Sequence, residues 1–219
     1  DMANIPRTTA KTINLGLFYG MGKLKLEKEL NLSKKEANVL FNTYHKKVPF
    51  VKLLSQTLIT FAEDHKLLYT LGDRFCRFNK WETRDRKWND DIKRFEPVPI
   101  LTEEEAKTAF KAELLEKYKG KVVDNYMKDF KYNYKPAFTY KALNRLIQGS
   151  AADMTKKAMV QLYERGILPQ IQIHDELCLS IKDDKQKETI KNVMEKSLPL
   201  LIKNKVNCLT GSSWGDCKK

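Results

Sequence analysis

The chain has 219 residues, of which 42% are hydrophobic and 10% aromatic, a composition that indicates a globular rather than a disordered protein. Lys and Arg outnumber Asp and Glu by 41 to 28, and the net charge of +13 suits a protein that neutralises phosphates. The four cysteines form no CxxC pair, which argues against a thiolate zinc site and a disulfide framework and favours a reducing, cytosolic-type compartment. No apolar run reaches the roughly 18 residues that span a bilayer, which argues against a membrane span.

The first predicted element is a helix that carries Arg7, Lys11, Leu15 and Tyr19 on one face. Residues four apart advance a helix by about one turn and 6 Å, so these side chains form a stripe about 18 Å long. Two cations at the leading end of the stripe suit a polyphosphate, and an apolar and then an aromatic residue suit a sugar and a base. This order of chemistries is what a nucleoside triphosphate requires.

Two glycines, Gly16 and Gly20, are expected to keep the surface of this helix bare for the close approach of another group. With them the string reads R-x3-K-x2-N-x-G-x2-Y-G. It resembles the fingers-helix motif of A-family DNA polymerases, the DNA polymerase I group.

The resemblance implies a role for each residue of the stripe. Arg7 would hold the outer phosphates of a deoxynucleoside triphosphate, and Lys11 would act catalytically by neutralising the developing charge and protonating the pyrophosphate. Leu15 would pack against the nucleotide, and Tyr19 would stack at the insertion site. Because the family usually has Phe or Tyr where this chain has Leu15, we predict weakened incorporation of dideoxynucleotides and a viral or phage origin.

Residues 1–66 are predicted to be helical throughout and, from the resemblance, to form part of the fingers. A hairpin with a two-residue turn is predicted next, at Gly72-Asp73. The family often has Gly-Arg-Arg there, so the resemblance assigns a DNA contact to Arg74. Residues from about 79 to 135 form an insertion in which tyrosines alternate with lysines; these side chains would either stack on bases and hold phosphates or form a satellite core.

A long helix is predicted over residues 138–165, and it carries the string Asn144-x3-Gln148-Gly-Ser-Ala-Ala-Asp153. The string is similar to the family's N-x3-Q-G-[ST]-A-A-D segment. Asn144 and Gln148 lie one turn apart, and their amide groups suit the degenerate acceptors of the DNA minor groove. The resemblance implies that Gln148 contacts the minor groove of primer–template DNA and that Asn144 helps at the templating position, while the small residues after Gln148 pack closely.

The last motif is His174-Asp175-Glu176, in the predicted turn of a hairpin with one buried face. Two adjacent acids at a strand end can offer oxygen ligands to Mg²⁺, although a solvated polar turn would have the same sequence. Ile-His-Asp-Glu-Leu resembles the palm motif of the family, whose aspartate binds the catalytic metals. By position that ligand is Asp175; Glu176 would be an auxiliary catalytic acid, and His174 would lie against the primer terminus.

One part of the family pattern is missing from the chain. The family takes its other metal-binding aspartate from a D-Y-S-x-x-E-L-R type motif before the fingers helix, and no such string is present. Two Mg²⁺ ions are therefore expected, with one ligand set absent from this chain. The missing residues are expected upstream in a longer polypeptide, as the first residue Asp1 suggests, or on a partner chain that carries the N-terminal polymerase half.

These patterns predict an α+β fold: a helical fingers subdomain over residues 1–66, then a palm over 67–219 with a small antiparallel sheet packed on helices. The predicted function is template-directed DNA synthesis by a nucleotidyltransferase that is incomplete as this chain alone, located in the host-cell cytoplasm if the protein is viral. The alternative is a polymerase-derived basic DNA-binding subunit that is inactive without a partner. A single-subunit RNA polymerase is disfavoured by the His174-Asp175-Glu176 motif and by the Gln148-Gly-Ser-Ala-Ala segment.

Overall fold

The computed structural model describes residues 7–91, 94–119 and 127–217. It divides into two compact units. Unit 1 holds the described residues up to Leu68 together with Arg77–Asn144, and unit 2 holds Tyr69–Cys76 and the described residues from Arg145 onward. No helix within the described ranges is long and apolar enough to cross a membrane.

The described residues up to His65 form four helices: α1 (Arg7–Phe18), α2 (Lys23–Leu30), α3 (Lys34–Lys47) and α4 (Pro49–His65). This part of the chain is largely helical as predicted, but residues 19–22 and 31–33 interrupt the helix. Helices α1, α2 and α3 bury one apolar cluster, whose centre is formed by Ile13, Leu17, Leu26 and Tyr44. Helix α4 contributes Ala62 to a second cluster, with Leu68, Phe78 and Ala142. Helix α3 starts at a capping box formed by Ser33 and Glu36. Pro49 starts α4 because a proline at the first helical position removes only an amide that has no partner within the helix.

A hairpin of β1 (Leu67–Tyr69) and β2 (Phe75–Arg77) follows. The predicted two-residue turn is wrong, because residues 70–74 form a longer loop closed by a hydrogen bond from the Thr70 amide to the Arg74 carbonyl (2.7 Å). Asp73, with φ of 61°, takes the left-handed conformation in this loop. The side chains of the loop make contacts that the local sequence does not reveal, and these set its length.

The insertion contains β3 (Trp81–Thr83), β4 (Trp88–Asn89), β5 (Arg94–Phe95), α5 (Glu103–Lys117), α6 (Met127–Asn133) and β6 (Tyr134–Pro136). Strand β3 pairs antiparallel with β6, and β4 with β5. Trp81, Phe110, Phe130 and Tyr134 form a buried cluster in which the last two rings stack at 5.4 Å. Of the two interpretations of the tyrosine-rich stretch, the satellite core therefore applies to Tyr134.

Helix α7 (Ala142–Tyr163) begins in unit 1 and continues into unit 2, followed by β7 (Ile171–Ile173), β8 (Glu176–Cys178) and α8 (Asp184–Glu195). The core of unit 2 is formed by Ala158, Leu162, Ile167, Ile190 and Val193, with Leu177 and Leu179 of the hairpin packed against it. The class is α+β as predicted, but the described strands form separate two-stranded ribbons rather than one small sheet. Each strand has only two or three residues and one partner.

Candidate active site

Two residues of the predicted nucleotide stripe, Lys11 and Leu15, lie on the outward face of α1. Lys11 is exposed and Leu15 is 47% exposed, whereas Ile13 and Leu17 on the opposite face are buried in the helical core. The period of the apolar residues explains this orientation, because burying Ile13 and Leu17 turns the intervening residues to solvent. Arg7 is the first residue of α1, and its side chain lies outside the described part of the structure.

The helix ends at Phe18, so Tyr19 lies just beyond it. The Tyr19 amide still donates to the Leu15 carbonyl (3.0 Å), and the half-buried ring meets the Phe18 ring edge-on. Gly20 has φ of 83°, a conformation that favours glycine and terminates the helix. Gly16 is expected from the sequence to keep the helix surface bare for the close approach of another group. The Met21 side chain occupies the space beside it, so this space is not left for a ligand.

The acidic motif lies at the tip of the β7–β8 hairpin. Only His174 and Asp175 form the turn, and Glu176 begins β8 opposite Ile173, so the predicted three-residue turn is wrong. His174 has φ of 54°, and its carbonyl accepts a hydrogen bond from the Gln172 side chain (3.1 Å). All three residues of the motif are exposed.

One face of this hairpin packs against the core through Leu177 and Leu179, as predicted, but the register puts the β7 isoleucines on the other face. Gln172 lies opposite Leu177, and Ile171 lies opposite Cys178. Leu177 packs against the core, while Ile171, on the other face, is 46% exposed. A two-residue turn fixes this pairing, and a shift of one residue would exchange the two faces.

Asp175 and Glu176 are carboxylates, the oxygen ligands that Mg²⁺ prefers, so the donor chemistry fits a magnesium site. Within the residues that the structure describes, no group of three or more His, Cys, Asp or Glu side chains could hold a metal ion. The hairpin therefore fits one part of a ligand set, and further oxygens would have to come from substrate phosphates or from another segment.

A cleft of about 830 Å³ lies in unit 2 between α7, the hairpin, α8 and residues 204–213. Its lining combines apolar side chains with the two acids of the hairpin, among them Met154, Leu177, Ile190, Val206, Asp175 and Glu176. The hairpin acids thus line part of this cleft.

Asp153, which ends the Gln148 string, lies at the centre of a polar cluster in unit 2. Its carboxylate is 3% exposed and accepts hydrogen bonds from the Thr70 hydroxyl, the Gly72 amide (3.2 Å) and Arg74 Nε. Arg74 Nη2 also donates to the Gly149 carbonyl (3.0 Å). The sequence does not reveal these contacts of Asp153, because its partners lie about 80 residues earlier in the chain.

The cluster brings two of the predicted DNA-binding residues together. The guanidinium of Arg74 is bound to the backbone of Gly149, one residue from the exposed Gln148. Gly149 is a close-packing position as predicted, because a Cβ there would lie 2.7 Å from the Thr70 methyl group. Ala151, expected to pack in the same way, is exposed instead.

Burial raises the pKa of Asp153, but hydrogen bonds from Thr70 and Arg74, the charge of Arg74 and the Gly72 amide outweigh it, so the pKa lies below its ordinary value. A carboxyl with a lowered pKa stabilises the fold above its ordinary pKa of about 4, and that contribution is lost as the pH falls through the lower folded value. Asp153→Asn should therefore reduce the free energy of unfolding at pH 7, and its difference from the natural chain should shrink below about pH 4. Urea unfolding at both pH values checks this, and a difference independent of pH would contradict it.

The chain matches the model of DNA polymerase family A over residues 1–216. The protein belongs to this family. Among its relatives, it is similar to a DNA-directed DNA polymerase of Pseudomonas phage M6 (30% identical, covering 98% of this chain and 30% of that protein). It is also similar to DNA polymerase I of Synechocystis (29% identical, covering all of this chain and 20% of that protein). The chain thus spans less than a third of the length of these relatives.

A solved structure gives the same indication for the fold of this family A chain. The POL domain of Pol1 from M. smegmatis, in complex with DNA primer-template and dNTP, matches with a TM-score of 0.61 and 20% identity, over 96% of this chain and 30% of that one. The candidate residues are divided between the units: Lys11, Leu15, Tyr19 and Asn144 lie in unit 1, and Arg74, Gln148, His174, Asp175 and Glu176 lie in unit 2.

Proposed function

We propose that this chain is the C-terminal part of a template-directed DNA polymerase, which adds deoxynucleotides to a primer 3′-hydroxyl and releases pyrophosphate. The observation that carries the proposal is the family match over residues 1–216, which includes all three motifs. In this proposal, residues 1–66 are part of the fingers and residues 67–219 are the C-terminal part of the palm, with an insertion at about 79–135.

The exposed stripe of α1 is proposed to bind the incoming nucleotide. Lys11 projects into solvent on the same face as Leu15, so a bound triphosphate could meet the ammonium while the sugar packs on the leucine. Arg7, one turn before Lys11, would hold the outer phosphates, and Tyr19 would stack at the insertion site. Lys11 would act by stabilising charge that develops on the phosphates and by protonating the leaving pyrophosphate.

The turn of the β7–β8 hairpin is proposed to hold Mg²⁺ through Asp175, with Glu176 as an auxiliary acid. When bound, two magnesium ions would lower the charge on the attacking and leaving oxygens of the phosphoryl group. The exposure of Asp175 supports this role, because a ligand for a metal shared with substrate must be accessible from solvent. The rest of the ligand set would enter beside the unit 2 cleft, from an upstream segment or a partner chain.

Primer–template DNA is proposed to bind across the exposed part of α7 and the neighbouring loop. Gln148 would contact the minor groove, and Arg74 would contact a phosphate close by, because its guanidinium is fixed one residue from Gln148. Asn144, half-buried near the start of α7, would help at the templating position, and His174 would lie against the primer terminus.

Primer extension tests the proposal. The 219-residue chain is incubated with Mg²⁺, deoxynucleotides and primed DNA, alone and together with a polypeptide that carries the family's upstream acidic motif. We expect extension only in the combined reaction and no extension when Asp175→Ala replaces the natural chain. Tight binding of primed DNA without extension in any combination would instead support the basic DNA-binding subunit.

Leu15 offers a test of the nucleotide site. Leu15→Tyr should favour incorporation of dideoxynucleotides about fivefold, since one added hydrogen bond contributes about 1 kcal/mol. Leu15→Phe is the matched control, because it adds the ring without the hydroxyl. Chain-termination assays at a fixed ratio of dideoxy- to deoxynucleotide measure the change. An unchanged ratio in both variants would contradict the placement of Leu15 against the sugar.

A further inference from the structure

We propose that Asp153 is a positioning residue for DNA binding: its buried carboxylate holds the Arg74 guanidinium in place for a phosphate of the primer–template, beside Gln148. This inference rests on the proposed polymerase function and adds to it a residue that would never touch the DNA. The acid is buried among groups of unit 2, and the arginine that it binds is half exposed.

The contacts of Arg74 leave one part of its guanidinium for a ligand. Nε donates to Asp153 and Nη2 donates to the Gly149 carbonyl, while the side chain remains 47% exposed. Nη1 makes no hydrogen bond to any residue that the structure describes. A guanidinium fixed by two of its nitrogens loses little conformational freedom when a phosphate binds the third, which favours affinity.

The loop around Arg74 is held against α7 by hydrogen bonds and by close packing. The Thr70 hydroxyl and the Gly72 amide donate to Asp153, and the Leu71 amide donates to the Ser150 hydroxyl (3.0 Å). A Cβ on Gly72 would lie 2.6 Å from the Asp153 side chain. The carboxylate therefore fixes both the loop and the arginine that the loop carries.

The chemistry around Arg74 favours a DNA phosphate as its ligand. The chain has a net charge of +13, and an arginine that is only half covered, next to an exposed glutamine on a helix, is an arrangement suited to the backbone and groove of a duplex.

The test measures the dissociation constant for primer–template DNA in the active polymerase that contains this chain, without nucleotide. Arg74→Gln and Asp153→Asn should each raise Kd about tenfold, and the double variant should match Arg74→Gln. Arg74→Gln should also reduce the slope of log Kd against log salt by about 1, as expected for the loss of one phosphate contact. The direction of the Asp153→Asn effect separates two explanations. If only the lost negative charge mattered, DNA binding would become tighter, whereas loss of the contact with Arg74 should make it weaker.

Glu82→Gln is the matched control, since Glu82 is also buried and paired with a cation, Lys135 (3.5 Å), but lies in the insertion. It should lower stability and leave Kd within about twofold of the natural value. If Asp153→Asn does not fold, Arg74→Lys decides, because lysine keeps the charge but cannot bind Asp153 and Gly149 together; a loss of about fivefold or more is expected.

Three results would overturn the inference: an unchanged or lower Kd in a folded Asp153→Asn variant, additive effects in the double variant, or an unchanged Kd in Arg74→Lys. Each is distinct from failure of the proposed function. If the proposed function fails, the natural chain itself gives no primer extension with the upstream polypeptide. If only this inference fails, the natural enzyme still extends primers and the variants give one of the three results above.

Discussion

Asp175→Asn is expected to reduce the rate of primer extension at least about 10³-fold in the complete polymerase, the largest effect that we predict for this chain. The amide keeps the size of the side chain and removes the negative charge and one strong metal-binding oxygen. No third His, Cys, Asp or Glu among the described residues completes a cluster that could replace it. Single-turnover extension at saturating Mg²⁺ measures the effect on chemistry separately from product release.

The neighbouring acid provides a matched control for this prediction. Glu176 is equally exposed but lies in β8, paired with Ile173, whereas Asp175 lies in the turn. Glu176→Gln should therefore slow extension only about tenfold, as expected for an auxiliary acid. Both variants should bind primed DNA as the natural chain does. Equal losses of rate in the two variants would contradict the assignment of Asp175 as the metal ligand.

The helical part of the fold could be predicted because its signals are local. The capping box at Ser33 and the alternation of buried Ile13 and Leu17 with exposed Lys11 and Leu15 are determined within one or two turns of helix. The orientation of the nucleotide stripe follows from the same pattern. These features need no knowledge of distant residues.

The errors concern turns and close contacts that depend on partners elsewhere in the chain. The loop at residues 70–74 is longer than Gly72-Asp73 suggests, since Asp153 and Ser150 of α7 hold it by hydrogen bonds. The space beside Gly16 is filled by Met21, which only the turn after α1 brings back to the helix. In both cases a local pattern was correct about which residues matter and wrong about what they contact.

The candidate site could be predicted only as separate motifs. The pairing of Arg74 with Asp153 joins residues from a loop and a helix that no spacing rule connects, so the sequence offered each a separate role. The register of the β7–β8 hairpin likewise depends on a turn one residue shorter than the acidic triplet. A single sequence carries no signal for these tertiary choices.

The second large effect is expected for Lys11→Ala, which should reduce the rate of nucleotide transfer about 10²- to 10⁴-fold while the Kd for primer–template DNA stays within about twofold. Lys11 lies on the exposed face of α1, and its proposed partner is the triphosphate, so its loss should act on the chemical step. Lys11→Arg would keep the charge but donate a proton far less readily, because the pKa of a guanidinium lies well above that of an ammonium. It should recover part of the rate.

A surface lysine elsewhere in unit 1 distinguishes a catalytic role of Lys11 from the effect of net charge. Lys35, exposed in the first turn of α3, lies in the same unit, and Lys35→Ala removes one positive charge as Lys11→Ala does. If Lys11 serves only the electrostatic attraction of DNA, both variants should weaken DNA binding equally and leave the transfer rate unchanged at saturating DNA. If Lys11 stabilises the transition state, only Lys11→Ala should slow transfer, and the loss should persist at saturating nucleotide, because binding more substrate cannot replace a group that acts on the developing charge.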